Sequence, residues 1–161
     1  MRRKDREVTD PDVILYILKK SKVLHLGLVD GNEPYIVPMN YGYTFEDGKL
    51  TFYVHSAPEG RKLDIIRKNP SCCAQLECDG ALIESVIACK YGYSFYSLEG
   101  FGKALIVEDN REKIKALSLL MEEQTGRSFT FTEDMVSNVE VIRIECSDYS
   151  AKHRPLNKSG S

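Results

Sequence analysis

The sequence has almost no excess charge of either sign: 22 lysines and arginines stand against 24 acids in 161 residues, a net charge of −2. No global field therefore draws nucleic acid or an anionic membrane, and any anion selectivity must be local. Nine tyrosines speak for a single-stranded nucleic-acid barrel, but that mode needs a cationic groove, which the balanced charge argues against. The chain also lacks an apolar run long enough to cross a bilayer. Met1-Arg2-Arg3-Lys4-Asp5-Arg6 is basic but leads into polar sequence rather than a signal-peptide core, so a soluble, cytoplasmic protein is expected. There is no Cys-x-x-Cys pair. Five cysteines (Cys72, Cys73, Cys78, Cys89, Cys146) are an odd number and read as reduced thiols. Zinc held by Cys78, Cys89 and a histidine would not have knuckle spacing, and strand cysteines are usually small buried hydrophobes. No nucleophile triad, repeat or low-complexity segment is visible. Gly100-Phe101-Gly102 is followed by Leu105 where a dinucleotide fingerprint needs its third glycine, so a nicotinamide donor would dock transiently rather than in a Rossmann module.

What is present reads as one mainly β domain over residues 1–150 with a polar, flexible tail over 151–161. Thr9-Asp10-Pro11-Asp12 starts a helix that carries Val13, Ile14, Ile17 and Leu18 at helical spacing to about Lys20. Strands are expected over Val23 to Val29 and Tyr35 to Tyr43, around the turn Asp30-Gly31-Asn32-Glu33. Glu46-Asp47-Gly48-Lys49 then turns the chain into Leu50-Thr51-Phe52-Tyr53-Val54. A short helix ends at Asn69-Pro70, and Ser71 to Cys78 is a strand closed by Asp79-Gly80. Tyr93 to Val107 is a long strand whose Gly100 and Gly102 suggest a bulge. Asp109 and Glu112 frame a capping box for a helix that stops at Gly126. Val139 to Cys146 is apolar on both faces, as in a central or interface-covered strand. Six or so strands joined by short turns predict a small antiparallel barrel.

The most informative segment runs from Leu50 to Asn69. Ser56 and Glu59 have capping-box spacing, Pro58 suits a first helical turn, and Gly60-Arg61-Lys62 sets a bare backbone beside two cations. Arg61 and Lys62 could be a solvated helix face. Gly60 near a helix start, however, costs about 1 kcal/mol against alanine, and close approach of a ligand is the economical reason to keep it. An arginine fork, a lysine and free N–H groups together suit a phosphate monoester. His55 stands where strand gives way to cradle, either as a proton carrier or donor to a ligand, or as a structural histidine. Two prolines in Pro34 to Tyr41 indicate an edge or bulged strand whose free backbone groups could read a planar ring; the alternative makes Met39 and Tyr41 ordinary core and Asn40 a turn cap. His25 and His153 read as structural and solvated respectively.

In their order and spacing, Pro34 to Tyr41, Phe52 to Lys62 with its His-Ser-Ala and Gly-Arg-Lys elements, Asn69-Pro70, and Tyr96-Ser97 to Gly102-Lys103-Ala104 resemble a known family. They are similar to the FMN-binding split-barrel proteins related to pyridoxamine phosphate oxidase, most closely the Nim (nitroimidazole resistance) branch, over residues 1 to 150. The resemblance implies a homodimer of six-stranded Greek-key split barrels with two FMN molecules at the subunit interface. By that analogy Ser56, Gly60, Arg61 and Lys62 hold the phosphate; Pro38, Met39, Asn40 and Tyr41 line the isoalloxazine; Ser97 touches its polar edge; and His55 lies on the substrate side as the catalytic candidate. The double-sided strand near the C-terminus would be a dimer contact. The oxidases proper carry a C-terminal tryptophan and arginine region, and this chain has no tryptophan, which counts against pyridoxamine phosphate oxidase activity. The implied function is electron transfer from reduced nicotinamide to a small oxidised acceptor such as a nitroaromatic, with a non-catalytic flavin or haem module as the alternative.

Overall fold

The computed structural model describes residues 3–156; the expected flexibility of Asn157 to Ser161 falls outside them. Eight strands form one sheet: β1 (Glu7–Val8), β2 (Leu24–Asp30), β3 (Glu33–Met39), β4 (Gly42–Glu46), β5 (Lys49–Ser56), β6 (Ser71–Ile83), β7 (Gly92–Val107) and β8 (Glu140–Arg154). Four helices join them: α1 (Pro11–Lys20), α2 (Arg61–Lys68), α3 (Asn110–Thr125) and α4 (Glu133–Val136). The order β3-β2-β6-β7-β8-β5-β4 is antiparallel throughout, and β1 adds to β8. The sheet does not close, because β3 and β4 remain as unpaired edges. It is nonetheless wrapped round one core, since Tyr35, Val37 and Met39 from β3 and Tyr43 and Phe45 from β4 pack on the same apolar cluster.

Alternation decides which side chains enter that core. Leu24, Leu26 and Leu28 of β2, Leu50, Phe52 and Val54 of β5, Leu98 and Ala104 of β7, and Ile142 and Ile144 of β8 point inward, together with Ile14, Ile17 and Leu18 of α1. Each such burial is worth about 1.5–3 kcal/mol for the larger side chains. A second cluster forms on the outer face, where Tyr53, Val107 and Val141 meet Ala116 and Leu117 of α3 and Val136 of α4. The double-sided strand is therefore covered by this chain's own helices, not by a dimer contact as the resemblance implied.

The helix limits follow their capping residues. Asp10 accepts from Asp12 N–H at 2.9 Å with Pro11 in the first position, and Asp109 accepts from Glu112 N–H at 2.9 Å. Gly126 ends α3 with φ +70°.

Several strand boundaries differ from expectation. Tyr35 to Tyr43 is broken at Asn40-Tyr41 into two strands that lie on opposite edges of the sheet. β6 runs through Asp79-Gly80 with a register shift rather than ending there, and the bulge near Gly100 and Gly102 has its extra residue, Ser147, on β8. β8 extends to Arg154, paired with Phe95, so residues 151–154 of the expected tail are strand.

Gly42 holds α3 against β4: a Cβ there would stand 2.4 Å from Leu120 N and 2.6 Å from Leu119 C, which is helix backbone and cannot swing aside. Gly42→Ala should destabilise the fold by about 1–3 kcal/mol. Gly27→Ala, whose methyl would meet its nearest atom at 3.4 Å, should stay within about 0.5 kcal/mol. Urea unfolding midpoints of the two variants check the contrast.

Candidate functional site

The segment singled out in the sequence folds differently at its centre. His55 and Ser56 complete β5, paired with Val141 and Glu140, so strand continues two residues further than the pattern suggested. The Ser56–Glu59 capping box does not form. Helix α2 starts at Arg61 with Gly60 as its cap, at φ +149° and ψ 156°, and no side chain caps it. The cause is alternation: Ser56 falls on the inward side of β5, where the residue is 6% exposed and its buried hydroxyl has no hydrogen-bond partner. Pro58 therefore precedes the helix instead of entering its first turn.

What results is still an anion-receptive corner. Leu63 and Asp64 N–H both donate to Gly60 O, at 2.9 and 3.3 Å, which leaves the N–H groups of Arg61 and Lys62 ahead of the helical ladder. Open space lies where a Gly60 Cβ would stand, and the φ there favours glycine. Lys62 is partly buried and forms no ion pair among the described residues. Arg61 is already engaged: Nε donates to Asp30 and Nη2 to Glu33, each at 3.1 Å, and its guanidinium lies 5.2 Å from the Tyr35 ring centroid. The two carboxylates raise its pKa further. These pairs are exposed, and exposed ion pairs contribute little, so an incoming dianion can exchange with them. Sequence reading missed Asp30, Glu33 and Tyr35; the acids in the β2–β3 turn were the available signal.

The ring-lining group is rearranged as well. Tyr41 is fully buried, and its hydroxyl donates to Leu18 O at 2.8 Å and Ser21 O at 3.1 Å; burial pushes its pKa well up. Its side chain is core and cannot line a ligand. Met39 packs on the core, and Asn40 is exposed but its amide is engaged, donating to Lys22 O at 3.0 Å, so Pro38 and Asn40 are the two of the four whose side chains reach the surface. Pro38, Ser97 and His55 all stand on the outer face of the sheet, by their alternation with Met39, Leu98 and Val54.

One chain does not bring Ser97 to the cradle. The row through Pro38 crosses His25, Gln75, Glu99 and Ser150, and Ser97 pairs with Lys152 just beyond it. His55 pairs with Val141, which pairs with Val107. Ser97 and the cradle are thus separated by the stretch of β7 from Ser97 to Val107, roughly 30 Å along the strand. An open cleft of about 650 Å³ between the end of α2, β7 and Lys113 is lined by none of the ten sequence-predicted residues. Among the described residues no three His, Cys, Asp or Glu side chains converge to hold a metal ion.

A family model for pyridoxamine 5'-phosphate oxidase matches residues 10–153. The chain belongs to the pyridoxamine 5'-phosphate oxidase family. A structure from Bacteroides thetaiotaomicron VPI-5482, of a protein named for 5-nitroimidazole antibiotic resistance, is 30% identical with a TM-score of 0.78, over 91% of this chain and 86% of that one. That likeness agrees with the Nim resemblance read from the motifs. The flavocytochrome Anf3 from Azotobacter vinelandii shares the fold at TM-score 0.77 and 18% identity, over 96% of this chain and 72% of that one. An FAD- and haem-binding protein from Mycobacterium smegmatis does so at TM-score 0.77 and 13% identity, over 92% and 73%. No curated protein matches the sequence. The curled sheet is thus the family's split barrel, built here from eight strands where six were expected.

Two outcomes follow. A buried hydroxyl without a partner costs about 1–3 kcal/mol, so Ser56→Ala should leave the ligand-free protein as stable or up to about 1 kcal/mol more stable in urea, while weakening any anion that the hydroxyl serves. Burial pushes the Cys72 and Cys146 thiols up to about 12, so both are protonated at pH 8 and lack the reactive thiolate. Iodoacetamide at pH 8 should modify neither until the protein is unfolded, as peptide mass analysis will read.

Proposed function

We propose that this protein binds FMN as a homodimer and passes electrons from a transiently docked reduced nicotinamide to a small oxidised acceptor, a nitroaromatic being the model case. The observation that carries the reading is the corner at β5 and α2. A buried hydroxyl without a partner, two N–H groups ahead of a helix, an unpaired lysine and an open glycine together fit the terminal phosphate of a mononucleotide better than a dinucleotide's bridging diphosphate alone would need. Family membership supports the flavin, and the separation of Ser97 from the cradle supports a site completed by a second copy.

In this reading Ser56, the backbone at Gly60 to Lys62 and the Lys62 ammonium hold the phosphate, with Arg61 released to it from Asp30 and Glu33. Pro38 sets the outward surface against the ring, Met39 and Asn40 serve through backbone, and Ser97 of the second copy meets the polar edge. Bound flavin supplies reversible acceptance of a hydride or of single electrons. His55, exposed on the same face, holds or moves a proton at an imidazole nitrogen. The absence of tryptophan goes against pyridoxamine phosphate turnover. A second reading, a flavin or haem module without turnover, is favoured by His55 being the one proton carrier among these residues; physiologically slow reoxidation of the bound flavin by every acceptor in stopped flow would select it.

Protein refolded with excess FMN should keep a flavin band after desalting, and colourless protein would sink the proposal. Arg61→Ala with Lys62→Ala should weaken FMN at least about tenfold while changing riboflavin, which lacks the phosphate, much less. Equilibrium fluorescence titration reads both. His55→Ala should retain FMN and lower turnover.

A further inference from the structure

Beyond Lys103 the strand β7 outruns its neighbour. β6 begins at Ser71, opposite Lys103, and the last backbone bond on that side runs from Ala104 N–H to Pro70 O at 2.8 Å. Proline has no N–H to return, so the Ala104 carbonyl is left open. Ile106 directs its own N–H and carbonyl to the same side, because backbone groups alternate along a strand, and no strand among the described residues lies there to take them. Pairing with β8 occupies the other side as far as Val107 opposite Val141.

This open edge is one wall of the cleft of about 650 Å³ at the end of α2, a size that suits a small organic ligand. Pro70, Leu105 and Val107 give it apolar surface, and Lys113 of α3, only 7% exposed, gives it a buried cation. Lys113 Nζ donates to Val139 O at 2.9 Å, while the nearest carboxylate oxygen, on Glu140, stands at 3.9 Å, beyond hydrogen-bond range. An ammonium has three N–H donors, so a buried one served by a single carbonyl keeps capacity for an anion. Glu108 and Glu140 also line the cleft and offset Arg67 and Lys113, which leaves its walls with no net charge. That balance accepts a monocarboxylate and sets two like charges against a phosphate dianion.

We propose that this cleft is a binding site, separate from the cradle, for an apolar α-amino acid, free or N-acylated, held by its carboxylate. Ala104 O and Ile106 N–H offer an acceptor and a donor spaced for one residue of a parallel neighbouring strand. The ligand's α-nitrogen donates to Ala104 O, and one oxygen of its carboxylate accepts from Ile106 N–H. Parallel to β7, the ligand turns that carboxylate towards the Glu108 end of the strand, where Lys113 supplies the remaining donors. Its side chain falls on the same face as Leu105. The cradle takes no part: it lies at the start of α2, whereas the cleft takes Ile66 and Arg67 from the last turn of that helix and Pro70 from beyond it.

Calorimetric titration of the full chain with L-leucine and with N-acetyl-L-leucine tests this, and the tighter of the two tells the free from the acylated ligand. Binding should saturate at one ligand per chain. The primary amides of the same ligands, which keep the shape and lose the carboxylate, should bind at least about tenfold more weakly. Lys113→Met, which keeps the buried stem without the ammonium, should weaken the carboxylate ligand by a similar factor. Pro70→Ala returns an N–H to Ala104 O and should weaken binding in the same direction; it serves alone if Lys113→Met disturbs the circular dichroism. Arg61→Ala with Lys62→Ala should bind as wild type. Absence of saturable binding by both ligands, equal affinity for the amides, wild-type affinity in folded Lys113→Met or Pro70→Ala protein, or loss of binding in the Arg61→Ala, Lys62→Ala variant overturns the proposal.

Discussion

The long antiparallel pairing of β7 with β8 is the constraint on which the other parts depend. It runs from Phe95 opposite Arg154 to Val107 opposite Val141, with one extra residue at Ser147. Because side chains alternate, this register sends Leu98, Ala104, Ile142 and Ile144 into the main core and leaves Val107 and Val141 on the outer face. The extra residue lets Ala151 return to the core beyond the bulge. A slip of one residue would expose the whole set. Glycines permit the close contact: a Cβ at Gly102 would stand 1.8 Å from Glu145 O, and one at Gly100 would meet the Cys146 sulphur at 2.6 Å.

From that pairing the cradle acquires its character. β5 adds to the free side of β8, which fixes Ser56 inward and His55 outward. The outer cluster of Val107 and Val141 then seats α3, and Arg143 pairs with Glu112 of that helix through Nη1 at 2.7 and 2.9 Å. The two ends of the long strands become chemically distinct. One lies towards the anion-receptive start of α2; the other carries Ser97.

Helix starts and stops were legible because their signals act within one turn: Asp10 with Pro11, Asp109, and Gly126 each serve a neighbouring backbone group. Gly60-Arg61-Lys62 was legible as a helix entry for the same reason. The Ser56–Glu59 capping box misled because its spacing is equally compatible with a serine that ends a strand, and cross-strand pairing to Glu140 outweighed a local cap. Tyr41 misled in a similar way. A tyrosine beside a proline-broken strand suits a ring-binding wall, yet the carbonyls of Leu18 in α1 and of Ser21, which caps that helix, took its hydroxyl into the core.

By itself the sequence determined the local grammar: where helices begin, which strand faces are apolar, and that a bare glycine precedes two cations. The ordered motifs also pointed to the family, since their spacing reflects one chain threading one barrel. The tertiary structure alone decided that Asp30 and Glu33 hold Arg61, that α3 and α4 cover the second face of β8, and that Ser97 and the start of α2 lie far apart along β7. The physical reason is range. Caps and alternation act between residues a few positions apart, whereas ion-pair partners, covered faces and distances between site halves are set by strand register, which joins residues far apart in the chain.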